Sequence, residues 1–340
     1  MDSFEAELMR RSPLAACVLE MSDFVFEDAL MESIWGEHRG RCYQDVLKFP
    51  DLLRLMRDAL VNHGGSAHRL FVSLERRAAQ PVEESNFYRK LSRTPVEISR
   101  ALLRQCTARL AGLMPPGAAG AAGAAGAAGA AGAGAAGAAL PACLDGFTVI
   151  AADGKKIKNA AKRLAPTRGF SGKLLGAKAL VGLDLRSGLA VAMNDSLDGM
   201  TNDVPLVEGL LGQLRKMVPG PILSVWDRQF DDVGTLRRLS GRAGDAFVVR
   251  AKQLHARFAV ESTAQTTDAQ GRRVIDQIGV LGKGKRTMRV RRIWLTRATR
   301  PRARRTWCCS PTWRTARRIR RRSCWRCTSC GGGSRASSSR

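Results

Sequence analysis

The sequence predicts an α/β domain whose mixed sheet delivers two aspartates to one edge, and three observations predict it. Thr148-Val149-Ile150-Ala151-Ala152-Asp153-Gly154 is an apolar, β-branched run that stops at a carboxylate and a glycine, as a buried strand does on reaching a site. Ile222-Leu223-Ser224-Val225-Trp226-Asp227 does the same and leads at once into Arg228 and a helix-like segment. Between them lie two apolar-rich stretches, Lys178 to Leu185 and Leu189 to Leu197, and then an apolar-periodic segment. The element order is therefore β-β-β-α-β, with an acid at the end of the first and fourth strands.

Arg186-Ser187-Gly188 joins the middle stretches as a hairpin, with glycine where a positive φ is needed. The helix is expected from Val204, Leu206, Val207, Leu210, Leu211, Leu214 and Met217, with Asn202 or Asp203 as its cap and Pro219-Gly220 as its stop. If the two aspartate strands are neighbours, Asp153 and Asp227 emerge side by side at the C-terminal edge, where open α/β sheets bind ligands. Two such carboxylates are hard oxygen donors suited to Mg²⁺ or Mn²⁺. The remaining aspartates of this region, Asp184, Asp195, Asp198, Asp203, Asp231 and Asp232, fall at turns or helix starts, where the side chain has local hydrogen-bonding work.

The segments Ala152-Asp153-Gly154-Lys155-Lys156 and Val225-Trp226-Asp227-Arg228-Gln229-Phe230 resemble the first two catalytic segments of the DDE transposases of bacterial insertion sequences. Phe247-Val248-Val249-Arg250-Ala251-Lys252 is similar to that family's basic strand after the second aspartate. The resemblance covers roughly 147–252. It implies an RNase H-like catalytic domain, Mg²⁺ or Mn²⁺ held by Asp153 and Asp227, and metal-dependent DNA strand cleavage and transfer. It also implies double-stranded DNA, transposon ends and target, as the partner, with a homodimer compatible with that role. In the family a third acid comes from a tyrosine-x-x-arginine-x-x-x-glutamate helix, and the sequence as written contains no such motif. Lys155, Lys156, Arg228, Arg250 and Lys252 lie close in sequence to the strand ends and are candidates for phosphate contacts, which position DNA without reading it.

Residues 1–114 read as mainly helical. Val46, Phe49, Leu52, Leu53, Leu55, Met56 and Leu60 form an amphipathic stripe interrupted by one proline. Thr94-Pro95-Val96-Glu97 has the pattern of a capping box with proline at the first helical position, which predicts a helix from Pro95. A preceding segment carries Arg89, Lys90 and Arg93, and the next carries Arg100 and Arg104, so the pair is a candidate helix-turn-helix DNA reader as well as an ordinary helical pair with a basic solvated face. Residues 115–141 collapse to alanine and glycine in three-residue periods. Glycine costs a helix roughly 1 kcal/mol relative to alanine, so a linker is expected there.

At 340 residues and 44% hydrophobic content the chain has material for two domains and at least one ordinary core. Lysine and arginine number 56 against 30 acids, a formal net of +26 that points to a polyanionic partner. The excess is concentrated: residues 291–340 hold 16 arginines and no acid, leaving 40 basic against 30 acidic residues in the first 290. No apolar run approaches the roughly 18 residues of a membrane span, and Met1-Asp2-Ser3-Phe4-Glu5 lacks a basic signal region, so a cytoplasmic protein without a membrane partner is expected. Cys17, Cys42, Cys106 and Cys143 are scattered like small buried residues rather than a disulfide framework. The four histidines, His38, His63, His68 and His255, show neither ligand spacing nor a nucleophile partner.

After Lys252, Arg273 to Leu281 and Thr287 to Leu295 alternate as two strands. From Ala298 onward hydrophobic period and turn grammar disappear, and a disordered tail is expected over 298–340. Cys324, Cys327 and Cys330 form a C-x-x-C-x-x-C run that would ordinarily suggest zinc or an iron–sulfur cluster, but the genetic code offers a sharper reading. Taking the last base of each codon with the first two of the next, Trp307 with Cys308 becomes valine, and Cys308 with Cys309 becomes leucine, as does Cys324 with Trp325. With allowed codons, the stretch from Ser323 to Ser339 yields tyrosine-x-x-arginine-x-x-x-glutamate. The tyrosine falls across Cys327 and Thr328, the arginine across Cys330 and Gly331, and the glutamate across Ser334 and Arg335.

The sequence reading is thus an insertion-sequence transposase with a helical N-terminal DNA-binding region, shifted out of frame before its third acid. Two alternatives stand beside it. One is a non-catalytic basic nucleic-acid-binding protein whose aspartates are structural. The other is an RNase H-like nuclease that draws its third acid from the remaining carboxylates.

Overall fold

A computed structural model describes residues 10, 12–42, 46–76, 82–113, 140–158, 175–251, 258–268, 270–297 and 300–309. The chain divides into two compact units: 1–113 with 156–177 and 197–199, and 114–155 with 178–196 and 200–340. The Ala/Gly linker, apart from Leu140 and Pro141, lies outside the described residues, as do Lys252, the three clustered tail cysteines and everything after Cys309.

The N-terminal unit contains α1 (Pro13–Val25), α2 (Asp28–His38), α3 (Phe49–Asn62), α4 (Ala67–Arg76), α5 (Glu84–Arg93) and α6 (Glu97–Leu113). Its core gathers Met31, Ile34, Trp35, Phe49, Leu52, Leu55, Leu70, Phe71, Phe87 and Ile98. Trp35 stacks on Phe49 at 5.0 Å between ring centroids. The stripe expected from Val46 begins at Phe49, because Pro50 sits in the first turn, where its missing N–H costs no helical bond; the proline starts α3 rather than interrupting it. Val46 and Leu60 are exposed.

The Thr94 cap is corrected. Thr94 Oγ1 donates back to the Lys90 carbonyl at 2.9 Å and closes α5, while α6 starts at Glu97, not Pro95.

The second unit is built on β1 (Thr148–Lys158), β2 (Leu175–Asp184), β3 (Ala190–Ser196), α7 (Val207–Met217), β4 (Ile222–Trp226), α8 (Val233–Leu239), β5 (Ala246–Arg250), β6 (Phe258–Thr267), β7 (Arg273–Lys283), β8 (Arg286–Arg297) and β9 (Arg300–Cys309). They form one nine-stranded sheet in the order β3-β2-β1-β4-β5-β9-β8-β7-β6. The first five strands make a mixed sheet with β1, β4 and β5 parallel and β2 antiparallel to β3; β9, β8, β7 and β6 continue it antiparallel.

The β2–β3 turn is as the sequence predicts. Gly188 has φ 73°, and Asp184 accepts the amides of Arg186 and Ser187 at 3.0 and 3.2 Å. One face of the sheet buries Ile150, Ala152, Leu180, Ile222, Trp226, Phe247 and Val249 against Leu210, Leu211 and Leu214 of α7 and Leu236 and Leu239 of α8. The other collects Val149, Leu223, Ala246, Val248, Trp307 and Cys309. Gln213 and Asn194 add polar ties between α7 and β3, donating to the carbonyls of Met193 and Leu206 at 2.8 and 2.9 Å.

The expectation of disorder from Ala298 is corrected over 300–309. That stretch is β9, paired with β5 through Val248–Cys309 and Arg250–Trp307 and with β8 through Ile293–Trp307. Its two described side chains, Trp307 and Cys309, are both buried, two residues apart as strand periodicity requires.

Candidate active site

Strand register brings the predicted aspartates together. β1 pairs with β4 from Thr148–Ile222 to Ala152–Trp226, so one step further on both strands sets Asp153 beside Asp227. β4 pairs with β5 from Leu223–Ala246 to Trp226–Val249, and the same step sets Asp227 beside Arg250. Neighbouring strands run about 4.8 Å apart.

Side chains alternate between faces along a strand. Because Val149 and Leu223 belong to one core and Ala152 and Trp226 to the other, Asp153 and Asp227 share the face of Val149 and Leu223. On β5, Val248 belongs to that same core while Phe247 and Val249 belong to the other, which places Arg250 on the carboxylates' face. The result is a row of two acids and one base, all exposed, at the C-terminal ends of β4 and β5 and just past the last β1–β4 pair; β1 itself runs on to Lys158 rather than stopping at Asp153 as its sequence suggests.

Asp153 and Asp227 differ from the other carboxylates of the sheet in what they bond. Asp153 Oδ1 accepts the amide of its own neighbour, Gly154, at 2.9 Å, and among the described residues the Asp227 carboxylate has no hydrogen-bond or ion-pair partner. By contrast, Asp232 caps α8 by accepting the Thr235 amide at 2.9 Å. Asp245, buried at the opposite edge, accepts the Ile222 amide at 3.0 Å and holds Arg215 and Arg242. Asp227 is fixed through its backbone: its carbonyl accepts the Phe230 amide at 3.1 Å, and Trp226, just before it, meets Phe230, the last residue of the short 3₁₀ turn Arg228–Phe230, edge to face at 4.8 Å, both rings buried.

Lys155, Lys156 and Arg228 are exposed, as are Arg89 and Arg93 in the helical unit. Lys90 is not. Its ammonium lies 3.9 Å from the Trp35 ring centroid and the residue is only 9% exposed, so it serves the helical core.

The later acids are engaged elsewhere. Glu261 pairs with Arg289, Asp268 with Arg272 and Asp276 with Arg291, at 2.8, 2.6 and 2.6 Å. Among the described residues no group of three or more His, Cys, Asp or Glu could hold a metal ion.

Sequence reasoning missed a buried ion pair beside Asp153. Lys178 Nζ of β2 lies 2.5 Å from Asp203 Oδ1, with side chains 7% and 5% exposed. Asp203 occupies the capping position of the 3₁₀ turn Val204–Leu206, but its side chain makes no capping hydrogen bond, which corrects the role expected of it. The available signal was Lys178 itself, a lone charge at the head of an apolar strand, which when buried requires a counter-charge.

No helix among the described residues is long and apolar enough to cross a membrane. No protein-family model matches the chain, and comparison with curated protein sequences finds no significant match.

Proposed function

We propose that this chain is a DDE-type transposase of a bacterial insertion sequence, built on an RNase H-like domain, that acts on double-stranded DNA but as written lacks the third acid for strand cleavage and transfer. The row formed by Asp153, Asp227 and Arg250 carries this reading. It is supported by the strand order β3-β2-β1-β4-β5, with β1, β4 and β5 parallel and α7 leading into β4. It is further supported by the two carboxylates being exposed and free of the capping and ion-pair work done by Asp232 and Asp245.

The donor set fits Mg²⁺ or Mn²⁺: two hard carboxylates on adjacent strands, neither neutralised by a lysine or arginine in an ion pair among the described residues. Divalent metal held there would supply charge stabilisation for an in-line displacement at phosphorus. The chain's own residues provide the frame. Asp153 and Asp227 hold the ligand oxygens in register, and Trp226 and Phe230 fix the backbone that carries Asp227. Arg250, together with Arg228, Lys155 and Lys156, which lie close in sequence to the two aspartates, offers positive charge to the DNA backbone. The exposed Arg89 and Arg93 of α5 are candidates for a second, N-terminal DNA contact.

Mn²⁺ titration of the full chain followed by electron paramagnetic resonance tests the reading. Binding is expected in the wild type and absent from Asp153→Ala/Asp227→Ala. Binding that survives the double substitution would sink it, whereas salt-sensitive DNA binding with no metal binding at all would leave a non-catalytic nucleic-acid-binding protein.

A further inference from the structure

We infer that the buried Lys178–Asp203 pair is a positioning device for Asp153, acting through the missing side chain of Gly154; this rests on the metal-site reading above. A Cβ at Gly154 would lie 2.0 Å from Asp203 Oδ1, 2.3 Å from its Cγ and 2.5 Å from Oδ2. Such distances are far inside contact, so the Asp203 carboxylate occupies the space a side chain at 154 would need.

The two residues meet on a defined face. Gly154 follows Ile150 and Ala152 by strand alternation, and Lys178 precedes Leu180 by two; Ile150, Ala152 and Leu180 all belong to the α7-covered core. The ion pair therefore backs the β1 edge from the side opposite the Asp153 carboxylate. Asp203 presses on the peptide immediately after Asp153, and Lys178, held in β2 opposite Ser196 of β3, anchors Asp203 to the neighbouring strands.

Stability alone does not account for this arrangement. A buried ion pair is commonly no better for stability than well-packed apolar side chains of the same volume. Asp203 Oδ1, despite its closeness to the ammonium, has no hydrogen bond in favourable geometry among the described residues. The buried Asp245 shows the contrasting case, a carboxylate bonded to a backbone amide and two arginines. What Asp203 does have is close approach to Gly154, two residues past the last β1–β4 pair and next to Asp153.

The experiment follows hydrogen exchange of the Gly154 amide, which donates to Asp153 Oδ1, alongside Mn²⁺ affinity, in the full chain. Asp203→Asn and Lys178→Met should each speed Gly154 exchange by on the order of tenfold or more, a local opening, while the amides of Leu223 and Val248 keep their rates. Mn²⁺ affinity should fall by a similar factor, and Lys178→Arg should retain both properties. Lys178→Met/Asp203→Leu should recover thermal stability but not slow Gly154 exchange, an outcome that a purely structural pair would not give. Unchanged Gly154 exchange in Asp203→Asn, or equal acceleration of all three amides in every variant, overturns the inference. If Asp203→Asn does not fold, Lys178→Met and Lys178→Arg decide it by the same comparison. A wild type that binds no Mn²⁺ defeats the metal-site reading, and the exchange data still decide whether the pair positions β1.

Discussion

Asp227 and Arg250 stand side by side at the ends of parallel strands, one step beyond the Trp226–Val249 pair and on the same face of the sheet. Arg250 stands one strand over from a carboxylate that has no ion-pair partner among the described residues, and under the proposed function it would meet a phosphate oxygen of the DNA. Arg250→Ala should weaken duplex DNA binding and reduce the log–log salt slope by about one, the signature of a single lost phosphate contact. Mn²⁺ binding should persist. An unchanged slope would remove Arg250 from the DNA surface.

Asp268 gives a pH prediction. Burial alone would raise its pKa, but hydrogen bonds from the Arg272 amide and side chain and the Gln270 amide outweigh it and hold the carboxyl below its ordinary value. A depressed folded pKa contributes stability that is complete above the unfolded value and fades as pH falls through the folded one. The turn between β6 and β7 should therefore stay closed at neutral pH and loosen only below about pH 4, the ordinary carboxylate range. Amide exchange at Arg272 across that range checks this, and Asp268→Asn should abolish the acid dependence. A transition near pH 6 would contradict the assignment.

Two truncations isolate the contribution of β9. A chain ending at Arg297 loses the strand between β5 and β8 together with Trp307 and Cys309, so cooperative unfolding in urea should be lost or its midpoint should fall sharply. For scale, Trp307→Ala alone should cost about 3–5 kcal/mol, the usual range for a buried tryptophan. A chain ending at Ser310 should keep the full midpoint. Equal midpoints for both truncations would make β9 dispensable.

The reading frame is open to direct sequencing. In the shifted frame the codons spanning Cys327–Thr328, Cys330–Gly331 and Ser334–Arg335 should specify tyrosine, arginine and glutamate, and one compensating single-base insertion or deletion near codons 295–305 should restore metal-dependent DNA cleavage. A stop codon, or a non-acidic codon across Ser334 and Arg335, ends the proposal.

How much of the fold and site was legible depended on whether the residues involved were local. The strand end at Asp227, the Gly188 turn and the helix through Leu210 and Leu214 come from periodicity and turn chemistry within short windows, and the structure has them, whereas the end expected at Asp153 is absent because β1 continues through it to Lys158. Thr94 misled because threonine caps from either direction; its hydroxyl found the Lys90 carbonyl behind it before the amides ahead. Lys90 looked like a surface charge because nothing in its own segment announces Trp35, which lies 55 positions earlier. β9 was hidden by its arginines: among its described side chains Trp307 and Cys309 mark the buried face, and Pro301 breaks the sequence pattern. The structure sets Pro301 where the β8–β9 register slips between Thr296 and Arg297, so its missing N–H interrupts no ladder.

The position of β9 also dictates an order of assembly. It comes after every other described strand in the chain yet lies between β5 and β8 in the sheet, so during synthesis the mixed half and the β6–β8 half each present a raw edge until residues 300–309 emerge. Such edges recruit foreign strands, and long-range closure is slow. Nascent chains stalled before residue 300 should therefore be the aggregation-prone species, with the last strand acting as the seal that makes two half-sheets one.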